Sequence, residues 1–170
     1  MKTLTEYERL NLLNQYKILE KLAKANGDDE EANKYEQLED IVINGYVEEY
    51  GKLFDELQEE FSREESHFVW DTLRMYSAIY LSYKKLQNPK VDKTKIYFWG
   101  FDGTEEWYFM DFCKHVLIDL KRFDDLTEGN RIDFNSHSRR CNQYREMLDK
   151  WGNIGEKTDL SEDEIKYLIS

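Results

Sequence analysis

Asp102 and Glu106 stand four residues apart, one helical turn, just beyond the glycine of Gly100-Phe101-Asp102-Gly103. Two carboxylates at that spacing can move a proton or hold a divalent cation, and Arg122 could supply a counter-charge. The glycines suggest a second chemistry. A glycine-rich turn at a helix start presents free N–H groups that bind phosphate. Here Asp102, Glu105 and Glu106 put negative charge where the phosphate would sit, and the spacing is neither that of a P-loop nor that of a dinucleotide fingerprint. A third reading is architectural. The glycines permit a bend, Asp102 caps the next helix and Phe101 enters the core. The residue types favour this third reading.

Other chemistry-bearing residues are more scattered. Asp111, His115 and Asp119 recur every four residues on one helical face. Neighbouring pairs could share a metal, or His115 could carry a proton. No second helix offers a matching ligand pair, so a solvated polar face is the simpler account and no metal is assigned. His67 and His137 have no Cys or His at metal spacing. Cys113 and His115 are two apart on a helix and point in different directions, which disfavours a catalytic pair. Cys113 and Cys141 sit singly in helical patterns, so buried thiols are expected rather than a disulfide framework.

The elements that position these residues read as helices. Few breakers and much Glu, Lys and Leu predict an all-α fold. Thr5-Glu6-Tyr7-Glu8 has capping-box spacing and opens a helix to about residue 25, with Leu12, Leu13, Tyr16, Leu19 and Leu22 inward. A second helix starts among Asp28, Asp29, Glu30 and Glu31 and carries Tyr35, Leu38, Ile41, Val42 and Tyr46. It breaks near Gly45 or Gly51, before a shorter helix with Leu53, Phe54 and Leu57. Ser62 to Glu65 caps the central helix, 63–87, whose broad apolar arc predicts neighbours on two sides. Residues 95–100 form a short extended segment with no obvious strand partner. Asp102 then caps a helix whose stripe is Phe109, Phe112, Val116, Leu120 and Phe123. A polar loop around Gly129 leads to a helix over 137–151, and Ser161 caps a last short one. This is a single compact domain of six to seven helices.

Charge has a location. The formal net charge is -12, and residues 28–65 hold fifteen acidic against three basic side chains. The rest of the chain is neutral. Such a region repels phosphate backbones and suits either solvated helix faces or a basic protein partner. Arg139, Arg140 and Arg145, with Lys84, Lys85, Lys90, Lys93 and Lys95, form the basic counterpart. They allow nucleic-acid binding as a third-ranked reading. They also allow self-association, acidic region to basic residues. No apolar run reaches the roughly 20 residues of a membrane helix, and the N-terminus lacks the apolar core of a secretion signal. A cytoplasmic location is expected.

Several stretches stand in one order along the chain: 9–18, 44–46, 75–79 and 98–102 with Glu106, then Arg122-Phe123, Phe134-Asn135, 144–151 and 160–165. On these residues the sequence resembles the YfbU-like family of small bacterial proteins. The resemblance implies a mostly helical cytoplasmic protein over residues 1–170, with no known reaction and no cofactor. The matching positions are largely apolar, glycine or capping residues. Their polar exceptions are Asn14, Gln15, Asp102, Glu106, Arg122 and Asn135, which become the candidate binding residues. Asp111 and His115 fall outside the match, and the acidic stretch is heavier than the family pattern. The leading expectation is a non-catalytic interaction or regulatory protein that forms a homo-oligomer. The alternative is a small hydrolase or ligand-binding domain using Asp102, Glu106 and Arg122. Some 16 residues of helix separate Glu106 from Arg122, about 24 Å, so a bent helix or a second subunit would have to unite them.

Overall fold

The computed structural model describes residues 3–128 and 133–170. The fold is all-α, and the chain divides into two compact units, Met1–Glu60 and Phe61–Ser170. The loop glycine Gly129 lies outside the described residues.

In the N-terminal unit, α1 (Glu6–Asn26) and α2 (Asp29–Asn44) form a hairpin, followed by a 3₁₀ helix, Val47–Phe54. The capping box at Thr5 is present: its hydroxyl accepts from the Glu8 N–H at 3.2 Å, and the Glu8 carboxylate accepts from the Thr5 N–H at 2.8 Å. Asp28 caps α2 by accepting from the Glu31 N–H at 2.9 Å. The helices run antiparallel. Arg9, near the start of α1, donates to the last carbonyls of α2, Val42 at 2.7 Å and Ile43 at 2.5 Å. A cation there satisfies free carbonyls and suits the helix dipole. Two expected inward residues of α1, Leu19 and Leu22, are exposed. Leu22 is 54% exposed, and Ala23 is buried in its stead with Ala32 of α2. Small side chains near the turn allow the helices to approach, and a leucine would hold them apart.

In the C-terminal unit, α3 (Arg63–Lys85) is central. It packs on α4 (Trp107–Lys114), α5 (Cys141–Asn153), α6 (Glu162–Ile169) and a 3₁₀ turn, Asp124–Leu126. Val69, Leu73, Met75, Tyr76, Ala78 and Ile79 of α3 are all buried. Its buried Ser82 hydroxyl accepts from the Leu160 N–H at 2.9 Å and donates to the Thr158 carbonyl at 3.3 Å. That pins the loop before α6. Among the described residues, no helix is long and apolar enough to cross a membrane.

The chain between α3 and α5 departs from the periodic expectation. The helix after Asp102 starts a turn late, at Trp107, and widens into a π turn over His115–Asp119. The Leu120 N–H bonds to the His115 carbonyl, and the Arg122 N–H to the Val116 carbonyl. The helix therefore stops before Arg122, and Lys121 and Phe123 both adopt left-handed backbone conformations. Leu120 is exposed, where an unbroken helix would have buried it. The helix expected from 137 begins at Cys141, since His137 is also left-handed.

Residues 95–100 form no strand, and the pairing falls on the next residue. Phe101 pairs with Asn135 in an isolated parallel bridge, its N–H on the Phe134 carbonyl at 3.0 Å and its carbonyl on the Ser136 N–H at 2.9 Å. Gly100 makes the approach possible. Its φ is 88°, and a Cβ there would lie 1.8 Å from the Phe134 carbonyl oxygen. Because that obstacle is backbone, Gly100→Ala should destabilise the protein by more than about 3 kcal/mol, read from the denaturant midpoint. Gly152→Ala, where a Cβ meets nothing within 4 Å, is the control and should change little.

Candidate functional site

Three of the six candidate residues meet at one corner: Asp102, Glu106 and Asn135. The corner starts from Phe101, which is fully buried. Its ring stacks on Phe109 at 5.5 Å and meets Tyr144 edge-on at 5.5 Å. Tyr144, on α5, donates its hydroxyl to the Gly100 carbonyl at 2.8 Å. Next along the chain, one Asp102 carboxylate oxygen accepts from the N–H groups of Thr104 at 2.8 Å and Glu105 at 2.9 Å. These two bonds hold the Asp102 carboxyl below its ordinary range. Asp102 thus caps a turn rather than α4 itself. Asn135 accepts from the N–H groups of Gly103 at 3.0 Å and His137 at 2.9 Å. Gly103 has no room for a side chain here, since a Cβ would lie 2.5 Å from the Asn135 amide nitrogen.

Glu106 completes the corner. It is 6% exposed. Its carboxylate accepts from the N–H groups of Asp102 at 3.1 Å, Arg140 at 2.9 and 3.0 Å, and Cys141 at 2.9 Å. Arg140 and Cys141 open α5, and Arg140 makes no capping bond with its own side chain. Glu106 is therefore an N-cap supplied from 34 residues upstream. A helix start with neither Ser, Thr, Asp nor Asn at the cap position is the sequence signal for such a donor-hungry end. Burial pushes the Glu106 carboxyl up, but the backbone donors of Cys141, Arg140 and Asp102 outweigh it and hold it below its ordinary value.

This arrangement occupies the whole Glu106 carboxylate and one oxygen of Asp102. A general base or cation ligand needs open lone pairs, and Glu106 spends both oxygens on backbone donors. Arg122 is exposed and takes no part in these hydrogen bonds. Asn14 and Gln15 are exposed on α1, in the other unit. His115 Nδ1 lies 3.0 Å from the Asp119 carboxylate, and both side chains are exposed. Among the described residues, no three His, Cys, Asp or Glu side chains converge as a metal site. Cys113 and Cys141 are buried free thiols. Burial, then the Glu106 carboxylate beside it, pushes the Cys141 thiol up to about 12.

The basic residues are largely engaged. Lys84 pairs with Glu128 at 2.9 Å, Lys85 with Asp159 at 2.7 Å and Arg139 with Glu105 at 2.8 Å. Arg145 lies over the Phe68 ring at 5.0 Å. That weakens the nucleic-acid reading, which needs cations directed at phosphates.

A broad concavity lies elsewhere, in the N-terminal unit. A groove of about 720 Å³ runs between α1, α2 and the 3₁₀ helix, lined by Leu12, Tyr16, Leu38, Ile41, Leu53 and Phe54 among others. Tyr16 and Tyr35 stack within it at 6.3 Å, and the Lys34–Glu56 ion pair stands on its rim. No candidate residue lines it. The sequence does not announce it, because its apolar wall residues have the spacing of ordinary core positions and its polar ones that of solvated faces.

The cap makes a signed prediction. A carboxyl held below its unfolded value contributes stability that is complete above the unfolded pKa, about 4.3, and is lost as pH falls through the folded value. Glu106→Gln should cost about 1–3 kcal/mol at pH 7, by leaving buried donors poorly met. Urea melts from pH 7 to pH 3 should show the wild-type and variant stabilities converging at the acid end.

Comparison with known proteins assigns the chain. The YfbU domain model matches residues 1–170, across both units. The UPF0304 protein MJECS11 of Methanocaldococcus jannaschii is 32% identical, over 98% of this chain and 99% of its own. On both findings, the chain belongs to the YfbU family.

Proposed function

We propose that this protein is a non-catalytic interaction module that self-associates through its N-terminal unit. One contrast carries the reading. Among the described residues, the C-terminal unit buries 23 apolar side chains and exposes seven large ones. The N-terminal unit buries six and exposes nine, including Tyr7, Leu10, Ile18, Ile43 and Leu57. Sixty residues with so small a core gain little from their own burial. Large exposed apolar side chains in this number on such a unit are what an interface looks like before its partner arrives. The corner at Glu106 supports the same reading from the other side, because its carboxylates hold backbone rather than face a cavity.

The acidic stretch 28–65 adds orientation. Asp28 to Glu31 serve the start of α2, and Lys24, Lys34 and Lys52 pair with nearby carboxylates. The remaining charge is exposed and steers a basic surface toward the unit more than it strengthens the contact. A basic protein partner is accommodated by the same field.

Size-exclusion chromatography with light scattering tests the proposal. The full chain should elute at a multiple of 20.6 kDa and dissociate on dilution. A monomer at every concentration, with or without salt, overturns it.

A further inference from the structure

The outward face of α1 has a pattern of its own. Tyr7, Leu10, Asn14, Ile18 and Leu22 follow one another at spacings of three and four, which puts them on one side of a helix. They lie opposite the inward Leu12, Tyr16 and Ala23. Four of them are large, apolar and exposed: Tyr7 73%, Leu10 54%, Ile18 60% and Leu22 54%. A helix that is apolar on two opposite faces has two partners, and α2 covers one face. The outward stripe is about 22 Å long.

The stripe is symmetric about Asn14. Leu10 and Ile18 flank it at four residues on either side, and Tyr7 and Leu22 at seven and eight. A helix with this palindrome fits a second copy of itself running the other way. We infer that the occupant is the α1 helix of a second chain, packed antiparallel about a two-fold axis beside Asn14. This rests on the self-association proposed above and assigns its surface and geometry. In that register Leu10 faces Ile18 of the partner subunit, and Tyr7 faces the partner's Leu22. Asn14 meets the partner's Asn14, where two side-chain amides can exchange hydrogen bonds and fix the register.

Charge selects the direction. Glu6 and Lys21 border the same edge of the stripe, near its opposite ends. Antiparallel packing places Glu6 by the partner's Lys21, twice over. Parallel packing would put these two charges on opposite sides of the seam and lose the pairing, and the helix dipoles would also align unfavourably. Two such stripes bury on the order of 1,000 Å², the lower edge of a specific interface. The dimer is therefore reversible. The candidate Asn14 gains a role as the polar centre of an apolar contact, with Gln15 beside it.

Cysteine cross-linking of the full chain distinguishes the possibilities. Cys113 and Cys141 are buried, so a new surface thiol reports alone under diamide. The inference expects Asn14→Cys to link to itself and a mixture of Leu10→Cys and Ile18→Cys chains to cross-link. Neither of those two should link alone. If all three single variants link to themselves, the helices are parallel and the inference is wrong. If none links while light scattering still finds a dimer, self-association stands and the surface is wrong. If light scattering finds only monomer, both fail. Ile18→Glu, exposed and so harmless to folding, should raise the dimer dissociation constant about tenfold or more. An unchanged constant overturns the inference.

Discussion

The carboxylate of Glu106 accepts from the backbone N–H groups of Asp102, Arg140 and Cys141, and so joins two segments 34 residues apart. On one side it closes the turn that leads into α4. On the other it caps α5, whose Tyr144 returns a hydrogen bond to Gly100. Between these bonds Phe101 lies fully buried, with Phe109 and Tyr144 against it. The loop is thus closed by polar bonds and filled by aromatic rings, and each makes the other affordable. Burying a carboxylate is costly unless its lone pairs are met, and here backbone donors meet them. Gly100 sets the geometry, because only a residue without a Cβ brings Phe101 against the Phe134 carbonyl.

Most of the fold was legible in the sequence. The capping boxes at Thr5, Ser62 and Ser161 all form, and the helix centred on Leu73 and Tyr76 is the core of its unit. These signals are local: a cap needs four residues and an apolar stripe needs two turns. The glycine corner was legible too, since Gly100, Phe101 and Asp102 act as their types suggest. What could not be read is what depends on distant partners. Glu106 reads only as a candidate binding residue because the N–H groups it caps are far along the chain. Arg122 looked like a helix end because nothing in the pattern announced the π turn at His115. Asn135 matched a family motif, yet its reason, the Gly103 and His137 N–H groups, is purely spatial. Leu19 and Leu22 read as inward because the α1 helix carries leucines around most of its circumference, and periodicity alone cannot choose between two apolar faces.

That ambiguity in α1 is itself informative. The two units follow the same chemistry to different degrees of completion. The C-terminal unit surrounds α3 with three helices and a buried polar corner. The N-terminal unit has a hairpin, a groove and an uncovered stripe, with most of the chain's excess negative charge on its surface. Its polar candidates, Asn14 and Gln15, lie on that exposed helix rather than in a cavity. These features are the ones on which the proposed self-association rests.

On the proposal above, a second copy completes the N-terminal unit. Hydrogen exchange followed by mass spectrometry over a range of protein concentrations tests it directly. Helix amides exchange through local opening, and association raises their protection by mass action. Protection of peptides from α1 should rise with concentration while peptides from α3 and α5 stay constant. Exchange in α1 that is fast and identical at every concentration would contradict the account.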